Sequence, residues 1–288
     1  MTPAHRTGLL LVAGAGLVWS AGGLLFRLIH ADVMTILDGR AWAAGFFLLA
    51  VLTLRARGRP FGALLRLGWP GLLVALFFAG DAACYIGGLH YTSVAHVVVI
   101  MGLAPLFAAM AARLALREAV RPRVWIAMLV ALAGVAVMVS GNFASGAWWG
   151  DLLALGVPSL FAVVTVITRR HPDVDLLSSV CLAALVSGVV FLPFAPLGPA
   201  APRDWALMAL LGVIEFGGGL LLYLAGAKRI PSAEAALMSL LETVLAPLWV
   251  WLVVAENPGW QAIAGGAVVL AALAGLALAD LRPAPVRG

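Results

Sequence analysis

Apolar residues run through this chain in ten stretches of spanning length: 8–29, 34–54, 68–89, 92–114, 123–141, 150–168, 176–197, 205–227, 231–254 and 259–280. At 1.5 Å of rise per residue, about 20 residues of helix cross a hydrocarbon core of about 30 Å. The breaks between them are short and polar or rich in Pro and Gly: RARGRP (55–60), REAVRPR (117–123), GNFASGAWWG (141–150), RRHPDVD (169–175), PLGPAAPRD (196–204), KRIP (228–231) and ENPG (256–259). Helices end at such segments. The pattern predicts an all-α membrane protein of ten transmembrane helices. Its short loops leave no separate soluble domain to hold an active site.

The pattern also repeats. Residues 230–256, IPSAEAALMSLLETVLAPLWVWLVVAE, have an earlier counterpart in 92–118, TSVAHVVVIMGLAPLFAAMAARLALRE. Tyr85 matches Tyr223, His96 matches Glu234, Pro105 matches Thr243 and Glu118 matches Glu256, each 138 apart (223 − 85). In the first stretch Gly8, Trp19 and Arg27 match Gly150, Phe161 and Arg169 at 142 (150 − 8). The chain therefore divides into a five-helix repeat at 1–141, a second at 150–281 and a short tail at 282–288. Five is odd, so the second repeat enters the membrane inverted. Secondary transporters are built this way, with their sites near the midplane between the halves.

Composition agrees with a membrane protein: 64% of residues are hydrophobic, 11% are charged and mean hydropathy is +1.08. A soluble domain is nearer 45–50% apolar and 25% charged. Positive charge orients the helices. With the N-terminus cytoplasmic, all of the 18 Lys and Arg except Arg27, Arg40 and Arg203 fall on inner segments,. Both termini are then expected inside, in the cell inner (plasma) membrane. Trp69 and Trp125 mark inner helix ends, while Trp148, Trp149, Trp205 and Trp260 mark outer ones,. This distribution also accounts for the net charge of +5 without a nucleic-acid partner. Cys84 and Cys181 lie in apolar runs and read as small buried hydrophobes. His5 and Arg6 precede the first stretch without a convincing cleavage site, so a spanning helix is expected there rather than a removed signal.

Several local sequences carry a family likeness. They are Trp19–Ser20 late in the first helix, Arg40 in DGRAWAAGFF, LHYTSVA (89–95), AKRIPSAEAAL (227–237) and LLETVLAPLWVWLVVAE (240–256), with Pro105 thirteen residues before Glu118 (118 − 105). On these the chain resembles, over essentially its whole length, the ten-helix EamA-type branch of the drug/metabolite transporter superfamily, and most of all its amino-acid and metabolite exporters. Where that family often has Glu-Pro in the ninth helix, this chain has Glu242–Thr243, with the proline displaced to Pro247. Any kink is expected further along. The usual Gly-Glu at that helix end appears as Arg117–Glu118 and Ala255–Glu256. The resemblance implies a central cavity lined by helices 3, 4, 8 and 9.

Ionisable residues in those helices are the candidates for a substrate or proton pathway: Asp81, His96, Glu215, Glu234 and Glu242. Glu242 lies about 16 Å in from Pro231, and Glu215 about 15 Å past Trp205, both near mid-membrane. An ionised side chain there costs at least roughly 2.5–3.5 kcal/mol, so each needs a reason. The plainer reading is a carboxyl kept protonated and bonded to a nearby hydroxyl. Glu242 is the first choice for a proton carrier, with Glu215 and then Asp81 as competitors. Glu234 follows Pro231 and Ser232 and equally suits the positive start of a helix. Asp38 and Arg40 read as an interfacial charge pair, and Glu118 and Glu256 as structural helix ends. Tyr85 and Tyr223, with Trp19, Phe77, Phe78, Trp249 and Trp251 nearby, offer an aromatic wall for amphipathic small molecules. The small ladder Ala267, Ala271, Gly275, Ala279 is a packing face, internal or a homodimer contact. The five histidines are too scattered for a metal site, and no nucleotide-binding motif or other cofactor signal is present. The expected function is an inner-membrane secondary transporter exporting amino acids or similar small metabolites by alternating access. The alternatives are multidrug or nucleobase-type transport, and an intramembrane enzyme, for which no convergent nucleophile, base or metal set is found.

Overall fold

A computed structural model describes residues 2–58, 60–117, 122–140, 147–196 and 200–281. Glu118 and the tail at 282–288 lie outside the described residues. Among those described, the chain forms ten long helices: α1 Pro3–Leu28, α2 Val33–Arg55, α3 Gly68–Tyr91, α4 Val94–Leu116, α5 Pro122–Ser140, α6 Trp148–Arg170, α7 Leu176–Phe194, α8 Pro202–Ala227, α9 Ser232–Val254 and α10 Gly259–Leu281. Nine are long and apolar enough to cross a membrane, and the apolar part of α9 runs from Met238 to Val254. These bounds match the predicted stretches to within a few residues. The caps explain several starts: Thr2, Asp32 and Ser93 each accept a backbone N–H from the first turn of α1, α2 and α4,.

Three helices are irregular inside the bundle. α1 breaks at Ala21, between Pro3–Ser20 and Gly22–Leu28. α4 breaks at Gly102–Leu103, before Pro105. α8 widens into a π-helix over Leu211–Gly218, a form found mostly as short insertions at functional sites,. α9 stays helical through Pro247, whose missing N–H leaves the Thr243 carbonyl without its helical donor,.

The two halves pack with two-fold logic. Under the correspondence of α1–α5 with α6–α10, the contact of α3 with α6 mirrors that of α8 with α1, and α4 with α6 mirrors α9 with α1. The α7–α3 contact mirrors α2–α8 in the same way. The α2–α7 and α5–α10 pairs map onto themselves, so they lie on the axis. α4 and α9 end alike as well. Arg117 and Ala255, which are 138 apart (255 − 117), both cap their helices in the left-handed region, at φ 56° and 55°. Such backbone costs a non-glycine residue roughly 1–2 kcal/mol.

The core runs across the seam between the halves, joining Leu37, Tyr85, Ile86, Val98 and Leu103 to Met208, Leu211, Val250 and Leu273. The outer wall is apolar and exposed, as lipid contact demands: Leu76, Leu129, Trp205, Trp251 and Ile263 are examples. One expectation is narrowed here. Ala267, Ala271 and Gly275 are exposed, so their ladder is not an internal packing face. The inward face of α10 is instead Ala262, Gly265, Val269 and Leu273.

Candidate substrate site

The cluster at mid-bundle starts with how closely α8 lies on α2. Gly212 makes this approach possible, since a Cβ there would sit 2.5 Å from the Arg40 carbonyl oxygen. With the helices this close, Glu215 in the π-helical turn faces Arg40. The Arg40 guanidinium lies 3.7 Å from Glu215 Oε2, and both side chains are at least nine-tenths buried, at 7% and 6% exposure. The separation makes an ion pair but is too long for a hydrogen bond. Arg40 is also flanked by rings, with Phe216 at 4.7 Å and Tyr85 at 5.6 Å from their centroids,. The expectation of an interfacial Asp38–Arg40 pair is therefore corrected. Arg40 is buried and its carboxylate partner is Glu215, because the close α2–α8 seam draws it inward.

Three other predicted residues converge here. Tyr85 Oη and Glu215 Oε1 both reach Gly22 of α1, where an added Cβ would lie 2.7 and 2.6 Å from them. The charge of Arg40 acts on Asp81 from across the α2–α3 interface. Glu242, half-buried on α9, is near enough to feel the charge of Glu215 and for its own charge to act on Tyr85. Arg40 is thus paired with Glu215 across the two halves of the chain, with the carboxyl of Asp81 within reach of the Arg40 charge and that of Glu242 within reach of Glu215. Among the described residues, Arg40 Nε, Glu215 Oε2 and Asp81 Oδ1 are buried without a hydrogen-bond partner. A narrow cleft opens beside them between α2, α3, α7 and α8, lined by Arg40, Ala44, Phe78, Ala82, Ser187 and Phe216.

The remaining candidates lie elsewhere. His96 is buried at the start of α4, its Nδ1 2.7 Å from Asp151 Oδ1 on α6, and Thr92 donates to the same oxygen at 2.9 Å. Glu234 pairs with His5 of α1 at 2.9 Å, at the other end of the bundle. The two contacts join symmetry-related seams, α4–α6 and α1–α9, with histidine and carboxylate exchanged. Trp19 and Tyr223 pack in a tilted pair with ring centroids 5.5 Å apart, and Trp249 donates to Ser20 at 3.0 Å. Trp251 is exposed on the outer wall, while Phe78 lines the cleft. Glu256 accepts from Arg27 at 2.5 Å and from the Val94 N–H at 3.0 Å, tying α9 to α1 and to the α3–α4 turn.

The family model of EamA-like transporters matches residues 6–140 and again 148–278, one copy on each half. The chain belongs to the EamA-like transporter family. This EamA-like protein is thus a multi-pass membrane transporter that handles a small-molecule substrate within lipid, and not an enzyme. It is similar to the pseudopaline exporter CntI of Pseudomonas aeruginosa strain UCBPP-PA14, with 24% identity over 230 residues, covering 78% of this chain and 80% of the relative. The pseudopaline exporter CntI of Pseudomonas aeruginosa strain PAO1 matches with the same identity and coverage. Among solved structures, a protein crystal structure superposes with a TM-score of 0.69 at 23% identity, covering 97% of this chain and 100% of the other. That likeness concerns the fold.

Asp151 of the EamA-like chain escaped the sequence reading, and Arg40 was read there only as half of an interfacial charge pair. Asp151 sits among helix-start residues next to Trp148–Trp149, where an acidic residue looks like an ordinary dipole partner. Arg40 stood near the outer end of its segment, where positive charge is common. Its exclusion from the inner loops was the available signal.

Proposed function

We propose that this transporter exports amino acids or similar small metabolites by alternating access, in the inner (plasma) membrane with both termini cytoplasmic. The observation that carries the reading is the buried Arg40–Glu215 pair, with the half-buried Asp81 and Glu242 near it, set beside Tyr85 and Phe216 where the two halves meet. Charges retained at this depth, inside the bundle, mark substrate and ion paths. A site shared by two inverted halves opens to one face and then the other when one half rocks against its mate. Export is supported by the similarity to a metabolite exporter. The orientation is supported by the concentration of Lys and Arg on one set of loops. The five-helix units proposed are 1–141 and 150–281, and the exposed ladder on α10 is the face a second copy would use in a homodimer.

Glu242 is the proposed proton carrier. It stands half-buried on α9, within reach of the charge of Glu215, where losing and gaining a proton changes the repulsion between the two carboxyls. The test is counterflow in proteoliposomes loaded with an amino-acid mixture, with and without an imposed pH gradient. The wild type is expected to exchange substrate and to respond to the gradient. Glu242→Gln keeps the shape but cannot titrate, so its response to the gradient is expected to disappear. A variant with the wild-type rate and the wild-type response removes Glu242 from the coupling.

A further inference from the structure

The seam between α3 and α6 ends in a second pocket, remote from the Arg40 cluster. Its volume is about 230 Å³, and it lies between the entry to α3, at Arg66 and Pro70, and the α6–α7 turn, at Arg170, His171 and Asp173. This is the arginine-rich end of the bundle, where Arg55 of α2 pairs with Asp175 and Arg170 donates to the Ala115 carbonyl of α4 at 2.5 Å. Arg66 is exposed and makes no hydrogen bond or ion pair with any described residue. Arg170 has five donors and spends one of them on Ala115,. His171 packs edge-on with Trp69, ring centroids 5.0 Å apart, and offers an N–H in either neutral tautomer,. Asp173 is the acidic residue on the rim, and among the described residues no ion pair joins it to Arg66 or Arg170.

The corresponding seam of the other half is filled differently. At the spacing of 142 found in the first helix of each half, Pro172 corresponds to His30 (172 − 30). At the spacing of 138 found in the third, Arg66 corresponds to Asp204 (204 − 66). In the α1–α2 turn the His30 N–H donates to the Asp204 carboxylate at 3.2 Å, and Asp204 is buried. There the chain supplies its own anion to the gap between turn and helix start. Beside α3 the same register carries an arginine, with Arg170 and His171 across from it. The sign of the position is reversed, and a basic pocket occurs where its counterpart has a buried carboxylate.

The pocket also adjoins lipid. Trp69 is exposed next to it, and Phe61 and Leu65 of the short helix Pro60–Leu65 are exposed on the approach. Tryptophan marks headgroup depth, and exposed apolar side chains beside it suit the start of the acyl chains. We infer that this pocket binds the phosphate of an anionic membrane lipid, with Arg66 and Arg170 holding its oxygens and His171 donating a further bond. Arginine forks match phosphate oxygens, and basic pockets between helices hold acidic headgroups. A lipid fits better than a soluble phosphate, because a free anion gains nothing from Phe61 and Leu65. The bound headgroup joins α3 of one half to the α6–α7 turn of the other, so it stabilises the seam between them.

The test titrates the full chain in a non-ionic detergent with dioleoyl phosphatidylglycerol, dioleoyl phosphatidylcholine and inorganic phosphate. Tryptophan fluorescence reads the unfolding midpoint at one fixed heating rate. Phosphatidylglycerol at about tenfold over its Kd is expected to raise the midpoint by about 3 °C. Phosphatidylcholine, whose choline meets the arginines, and inorganic phosphate are each expected to raise it by less than about 1 °C at that concentration. Arg66→Gln is expected to weaken the phosphatidylglycerol effect at least about tenfold, as loss of a charge-assisted bond does. Arg113→Gln, exposed at the same end but outside the pocket, is expected to leave it unchanged. Asp173→Asn is expected to tighten binding about threefold, since a rim carboxylate repels the phosphate. If Arg66→Gln does not give folded protein, Asp173→Asn decides, and unchanged or weaker binding overturns the proposal. Equal shifts with the two lipids, or equal losses from Arg66→Gln and Arg113→Gln, overturn it in favour of diffuse attraction to the basic end. A full shift from inorganic phosphate alone overturns the lipid assignment and makes the pocket a site for a soluble phosphate.

Discussion

Removing Arg27 tests the idea that the two repeats are pinned together at one end of the bundle. Arg27 makes three contacts: with Glu256 Oε2 at 2.5 Å, with the Leu89 carbonyl at 2.6 Å and with the Thr92 carbonyl at 2.8 Å. A hydrogen bond to a charged group nets roughly 1.5–3 kcal/mol when buried. The Arg27 and Glu256 side chains are about one-quarter exposed, at 23% and 25%, so solvent screening lowers that figure,. Taking about 1 kcal/mol for each contact, Arg27→Met, which keeps the apolar stem, costs about 3 kcal/mol. At roughly 2–3 °C per kcal/mol, the midpoint falls by about 6–9 °C. Glu256→Gln retains its bond from the Val94 N–H and costs about 1 kcal/mol. Because the pair is one interaction, the double variant is expected to lose about 1 kcal/mol less than the sum of the singles. Intrinsic fluorescence of the ten tryptophans in detergent, at one fixed heating rate, reads all four proteins,. Two results would refute the reasoning: an Arg27→Met midpoint within 1 °C of wild type (against an expected shift of about 6 °C), or fully additive single losses.

Two further outcomes are expected. Ala255→Gly relieves the left-handed cap of α9 and should raise the midpoint by about 2 °C, equivalent to about 1 kcal/mol; no change would show that the strain is absorbed elsewhere,. Tyr85→Ala should reduce transport at least tenfold with normal expression because its hydroxyl and ring belong to the Arg40 cluster, whereas Tyr223→Ala, which loses its packing on Trp19, should act more weakly, so equal transport in both variants would separate neither from the background,.

The sequence by itself determined the architecture. Ten apolar runs of spanning length, Arg and Lys gathered on alternate loops, and residue matches at 138 and 142 are enough to specify ten helices and two inverted repeats. These signals are strong because lipid penalises every unpaired backbone group and stray charge, so the pattern is written along the whole chain. Glu215, Asp81, Tyr85 and Glu242 were legible for the same reason, as polar groups at depths that need explaining. What the sequence could not carry was pairing. Arg40 and Glu215 are 175 residues apart (215 − 40), and only the close α2–α8 contact over Gly212 makes them neighbours. His96 was visible but Asp151 was not, because its partnership depends on which face of α6 packs on α4. The same holds for His5 with Glu234 and for the outward ladder of α10. Depth is a property of one helix and can be counted along it, whereas facing is decided between helices, by rotations of the side-chain stripes that near-uniform Ala, Leu and Val sequences leave almost unmarked.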